Sequence, residues 1–139
     1  MPMIDIYAKP NTFAEPQKLA QATAQLVMTI EAVPNIAMFR QNTAGFIHEN
    51  TIMSNVDGDD DYIRVQVLTN VDALSREQQL ALTSQMTDLV ANATTDPDIY
   101  RNKIWVLLTQ AVAGGWGLAG HAHTNEELVA AARAEIAKA

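Results

Sequence analysis

Two spacings of apolar residues take turns along this chain. Met1-Pro2-Met3-Ile4-Asp5-Ile6-Tyr7 alternates in the period of a strand. From Phe13 to about Ala32, Leu19, Ala22, Leu26, Met28 and Ile30 recur at mostly helical spacing. Thr12 is expected to cap that helix, with Pro16 tolerated in the first turn, and Val33-Pro34-Asn35 ends it because a residue before proline is pushed out of helical geometry. Ile36 to Gln41 reads as a second strand. Thr43-Ala44-Gly45 then begins a loop with a short extended piece around Phe46-Ile47-His48.

Asp57-Gly58-Asp59-Asp60-Asp61 is a turn, and after it the pattern repeats. Tyr62 to Leu68 predicts a strand with Ile63, Val65 and Val67 on one face and Arg64 and Gln66 on the other. Ser75 and Gln78 have the spacing of a capping box, opening a helix to about Ala93 with Leu80, Met86, Leu89 and Val90 as its inner face. Thr94 to Arg101 is a connection, Lys103 to Gln110 a strand, and Gly114-Gly115-Trp116-Gly117 a sharp turn. Thr124 and Glu127 form a second capping box, starting a helix that runs close to the end.

Strand, helix, strand, twice over, predicts an α/β (α+β) fold. Tandem βαβ units form a four-stranded mixed sheet with two long helices on one face and an extra C-terminal helix. The whole of 1–139 is expected to be one domain, with halves at about 2–56 and 61–120 and the last helix at about 124–138. The other sheet face needs a cover. Ile4, Ile6, Trp105 and Leu107, read as sharing that face, point to further copies of the same chain.

Charge and composition narrow the partners. A formal net charge of −7 and a pI near 4.7 count against nucleic acid and anionic membrane, which call for basic patches. With no cysteine there is no disulfide framework and no thiolate chemistry. Neither an export signal nor an apolar run of about 18 residues is found, so a cytoplasmic setting is expected.

The candidate chemistry sits at the start. Removal of Met1 would turn the Pro2 nitrogen from an amide, which is no base, into a secondary amine, which is one. An α-amino group titrates near pKa 7.7–8.0, and burial disfavours its charged form, which suits a general base at neutral pH. The strand that follows immediately would hold the terminus against fraying.

Pro2, the two fused halves and the stretch Ile104-Trp105-Val106-Leu107-Leu108-Thr109-Gln110, followed by Trp116-Gly117-Leu118-Ala119-Gly120, together resemble the tautomerase superfamily. The resemblance covers most of the chain, to about residue 120. In 4-oxalocrotonate tautomerases the matching stretch ends in an aromatic-Gly-Ile-Gly-Gly hairpin. The fused architecture looks most like the cis-3-chloroacrylic acid dehalogenase and malonate semialdehyde decarboxylase groups. It implies a tautomerase/MIF-like fold, a homotrimer, no cofactor, and Pro2 as general base for keto–enol tautomerisation of a small 2-oxo acid or its enol.

The departures matter equally. The arginines such proteins carry at the strand-to-helix turns are absent, the positions reading Asn11 before Thr12 and Asp72-Ala73-Leu74 before Ser75. The His, Tyr and Glu with which the dehalogenases activate water fall on Thr29, Leu107 and about Leu118. Lys9, Arg64 and Asn70 are the candidates for holding a substrate carboxylate, ahead of Arg40, Arg101 and Lys103, with Arg40 discounted on strand parity. Trp105, Trp116 and Leu107 are the candidate apolar walls, and Arg64 is expected to pair with Asp5. His121-Ala122-His123 is read as the approach to a helix and not as a metal site, since no carboxylate accompanies it until Glu126. The alternatives are a decarboxylase, hydratase or dehalogenase of the same superfamily, and a trimeric binding protein that has lost its site.

Overall fold

The structure, a computed structural model, describes residues 1–139. Strand β1 (Met3–Tyr7) leads into the long helix α1 (Pro16–Glu31), the short helix α2 (Ala37–Gln41) and strand β2 (Ala44–His48). The same order follows in β3 (Ile63–Thr69), α3 (Arg76–Asn92), the short α4 (Pro97–Tyr100) and β4 (Ile104–Gln110). A hairpin of β5 (Trp116–Leu118) and β6 (His121–His123) and helix α5 (Asn125–Lys138) complete the chain. The main sheet has the order β2-β1-β3-β4. Its two outer pairs are parallel and its central pair antiparallel, with Met3 opposite Leu68 and Tyr7 opposite Arg64.

One face of this sheet carries the core. Ile4, Ile6, Ile63, Val65 and Val67 are fully buried against Leu19 and Val27 of α1 and Leu82, Met86 and Val90 of α3. Ile104, Val106 and Leu108 of β4 pack on the same cluster, so both long helices lie on this face. In α3 the inner positions are Leu82, Met86, Val90 and Ala91, with Leu89 at the margin. Leu80 is 55% exposed, because the buried stripe runs at intervals of four through Leu82, Met86 and Val90, and Leu80 lies off it. The capping box forms as read: Ser75 accepts from the Gln78 N–H at 3.2 Å and Gln78 accepts from the Ser75 N–H at 2.8 Å.

Several expectations need correction. Residues 36–41 are not a strand but contain helix α2, and the strand lies further on, in the segment read as a loop. A short apolar run such as Ile36-Ala37-Met38-Phe39 fits either period, and here side chains fix the helix. The Glu135 carboxylate accepts from the Met38 N–H at 3.2 Å, while Asn42 and Thr43 donate back to the carbonyls of Met38 and Phe39. Thr12 does not cap α1, whose N-cap is Glu15, three residues later, with Pro16 in the first turn. The Thr12 hydroxyl donates to the Lys9 carbonyl instead. The 94–101 connection contains α4, and Trp116-Gly117 belongs to a hairpin strand.

The close seat of β2 on α1 depends on Gly45. A Cβ there would lie 2.4 Å from the Ala20 carbonyl oxygen and 2.5 Å from the Thr23 hydroxyl. We expect Gly45→Ala to cost about 1–3 kcal/mol through forced backbone displacement, read as a lower urea midpoint with an unchanged denaturant slope.

Candidate active site

Strand β1 is central in the sheet, and its first residues emerge at the end where α1 finishes. Pro2 is fully buried, and its carbonyl accepts from the Ala44 N–H at 3.2 Å. Met1 is 3% exposed and packs with Trp116 and Leu128, ringed by Met3, Met38, Phe39, Leu68, Ala111 and Leu118. This apolar cluster is separate from the main core.

One charged side chain enters it. Glu31, on the last turn of α1, brings Oε2 to 3.8 Å from the Met1 ammonium, and both groups are shielded from solvent. Burial raises the Glu31 carboxyl above its usual range and lowers the amine below its own, the mutual attraction opposing each shift. The Glu31 Oε1 atom is buried without a hydrogen-bond partner. Sequence reasoning passed over Glu31; the only signal was a carboxylate just before the Val33-Pro34 stop, which a helical reading treats as a solvated end.

Of the residues expected at the site, Pro2 follows Met1, which packs on Trp116, and Asn70 lies just past the end of β3, two residues beyond Leu68, the partner of Met3. Asn70 accepts at its carbonyl from Ala73 at 3.3 Å, closing a tight turn around Asp72, whose φ is 55°. Trp105, Arg64 and Lys9 gather at the opposite end of the sheet. Trp105 pairs across with Arg64, and Arg64 with Tyr7, four residues along β1 from Met3. Trp105 stacks on Tyr62 at 4.8 Å and, with Tyr7, Ile52 and Arg64, borders a cleft of about 240 Å³. Lys9 meets Asp60 at 3.6 Å. Within one chain, then, Trp105 does not wall Pro2.

Arg64 does not pair with Asp5. It lies over the Tyr7 ring at 5.5 Å and donates to Gln66 at 2.6 Å, whereas Asp5 meets His48 at 2.7 Å. The strand parity used to set Arg40 aside does not apply, since Arg40 is helical; it donates to the Asn35 carbonyl and side chain, each at 2.9 Å. Arg101 and Lys103 are taken by Asp88 and Asp61.

The sheet face turned away from the helices is open. It carries Tyr7, Arg64 and Trp105 in one row and Phe46, Asp5, Gln66 and Leu107 in the next. Phe46, Trp105 and Leu107 are 47%, 42% and 44% exposed. Ile4 and Ile6, expected on this face, point the other way into the core, because register with Val67 and Val65 fixes their side.

His121 and His123 stand on one side of β6, and the carboxylate they meet is that of Glu127, one residue beyond the one sequence spacing indicated. The capping box at Thr124 is correspondingly half formed. The Thr124 hydroxyl accepts from the Glu127 N–H at 3.2 Å, while the carboxylate turns to His121.

No protein-family model matches the sequence, and no curated protein is significantly similar to it. Solved structures do match. A macrophage migration inhibitory factor from Oncomelania hupensis superposes with a TM-score of 0.70 at 15% identity, over 98% of this chain and 96% of that one. A member of the cis-3-chloroacrylic acid dehalogenase family gives 0.69 at 12% identity over 94% and 90%. A fused 4-OT solved as a symmetric trimer gives 0.68 at 14% identity over 86% and 93%. The chain has the tautomerase/MIF-like fold. No helix is long and apolar enough to cross a membrane.

The buried pair gives a pH signature. Below its usual 8.0, the amine holds its proton more weakly in the folded chain than in the unfolded one, so stability rises with pH up to about 8. Glu31 acts oppositely, and its contribution falls as pH climbs from 4.5 through its raised folded value. In the protein bearing Met1, Glu31→Gln is expected to abolish the acid-side fall. It should also extend the rise toward lower pH, because the carboxylate no longer holds the amine's pKa up. Urea midpoints between pH 4.5 and 8.5 check both.

Proposed function

We propose that the chain is an N-terminal-proline enzyme of the tautomerase type, with Pro2 as general base for keto–enol tautomerisation of a small 2-oxo acid or its enol. The observation that supports it is the burial of the Met1–Pro2 start in an apolar cluster that holds one carboxylate. Once Met1 is removed, the Pro2 amine takes over as the terminal base, and the room held by the Met1 side chain becomes space for substrate. Trp116, Leu128, Met38 and Phe39 then border it.

The chemistry follows from the surroundings. Apolar neighbours keep the amine uncharged in the resting state. It removes the proton from the carbon beside the carbonyl, becomes ammonium, and returns the proton to the carbon or oxygen that completes the tautomer. Glu31 stabilises the transient ammonium and so sets the balance between the two states. The same charge repels a substrate carboxylate, which accordingly lies away from Glu31.

The open sheet face supports a homotrimer, in which Phe46, Trp105 and Leu107 are covered by other copies and Trp105, Arg64 and Lys9 of one chain approach the Pro2 of another. The fused 4-OT of the same fold was solved as a symmetric trimer. A second reading, decarboxylation or hydration of a small acid, draws support from Glu31, a buried carboxyl that lies 3.8 Å from the Met1 nitrogen and that loss of Met1 would leave inside the pocket to give or take a proton.

Ketonisation of phenylpyruvate enol by protein whose intact mass confirms loss of Met1 tests the first reading. Pro2→Ala is expected to lower kcat/KM by about 10²-fold or more; an unchanged rate removes Pro2 from the mechanism, and no rate in the wild type supports a binding protein. Glu31→Gln should move the acid limb of the pH–rate profile to lower pH. Carbon dioxide or hydrated product from a 3-oxo or unsaturated three-carbon acid, with no enol turnover, establishes the second reading instead. Sedimentation is expected to give three times the 15.2 kDa chain mass, falling in Leu107→Asp.

A further inference from the structure

Outside this pocket, one cluster combines two imidazoles with a carboxylate. Alternation along β6 sends His121 and His123 to one side and Ala122 to the other. The strand runs straight into α5, whose first turn carries Glu127 back toward it. Nε2 of His121 lies 2.5 Å from Oε2 of Glu127, Nδ1 of His123 lies 3.8 Å from the same oxygen, and the ligand atoms of all three fall within 4.8 Å of one another. The two rings stand edge to face at 74° with centroids 4.7 Å apart.

His123 decides what the cluster is for. Its Nε2 is 3.2 Å from the Leu118 carbonyl across the hairpin. A carbonyl only accepts, so Nε2 carries the hydrogen and the neutral ring keeps its lone pair on Nδ1. That nitrogen is shielded from solvent and has no hydrogen-bond partner. A ring pinned through one nitrogen by a backbone carbonyl, with the other bare and facing a carboxylate, is how histidine is oriented toward a metal. An ordinary surface pair of His121 with Glu127 explains neither the bare Nδ1 nor the diversion of the carboxylate from its capping role.

We infer that His121, His123 and Glu127 form a binding site for a divalent first-row transition ion. Two nitrogens and one oxygen without thiolate suit zinc, cobalt or nickel better than calcium or magnesium, which take oxygen ligands. Three protein ligands leave a position for water or an anion. The ion would clamp β6 to α5. His123 pairs with Trp116, Asn125 is bonded to the Val71 carbonyl at 2.9 Å, and Leu128 follows Glu127 directly, so the clamp steadies a wall of the terminal pocket. The site stands whether or not Pro2 is a base.

Calorimetric titration of the chelator-treated protein with zinc chloride tests this, with cobalt(II) absorption as a report of ligand geometry. One zinc per chain is expected, together with visible cobalt bands of a four- or five-coordinate ion. Affinity should fall about tenfold or more in Glu127→Gln and in His121→Ala, whose side chains are exposed enough to leave folding intact, while His48→Ala binds as the wild type. No binding by wild type, or equal binding by Glu127→Gln and His121→Ala, overturns the site.

Discussion

The structure turns on a charged chain terminus taken out of water. An amine and a carboxylate placed in an apolar cluster each lose hydration, and the attraction between Met1 and Glu31 offsets only part of that loss. Everything at that end of the sheet serves to keep water away from them. The last turn of α1 delivers Glu31, α2 brings Met38 and Phe39, the end of β3 contributes Leu68, and the segment after β4 adds Trp116 and Leu128. Because β1 lies inside the sheet, its first residues have β2 on one side and β3 on the other.

Much of the architecture was legible in the sequence, because its strongest signals are local. The alternation in Ile63, Val65 and Val67, the Ser75–Gln78 cap and the Pro34 stop all concern neighbours along the chain, and all survive in the fold. Failures came where tertiary contacts decide. Residues 36–41 are apolar enough for either period, and the hydrogen bond that settles them comes from Glu135, far away in α5. Assigning Ile4 and Ile6 to the face of Trp105 failed for a related reason. Parity within one strand is visible in sequence, whereas the register between strands that relates two parities is not.

The candidate site divides the same way. Pro2 and Trp116 could be put forward as candidates from motif spacing, since both lie in stretches with their own local signal. Glu31 and the meeting of His121, His123 and Glu127 could not, because each depends on an approach between a helix end and a strand that no spacing encodes. The candidate cations depend on partners that lie elsewhere in the fold. Lys9 and Arg64 are engaged at the far end of the sheet from the Pro2 of the same chain, Lys9 by Asp60 and Arg64 by Tyr7 and Gln66, while Asp88 and Asp61 hold Arg101 and Lys103.

The hairpin and α5 form their own two-stranded sheet and helix, tied to the rest by the Asn125 and Glu135 hydrogen bonds and by the small cluster around Met1. With so few ties, such a segment is expected to open at a lower free energy than the main sheet. Access to the buried terminus is therefore a matter of local breathing and not of unfolding. Any protease or modifying enzyme that must reach the first residues works on the rare molecules whose tail has swung away, or on chains whose tail has yet to dock.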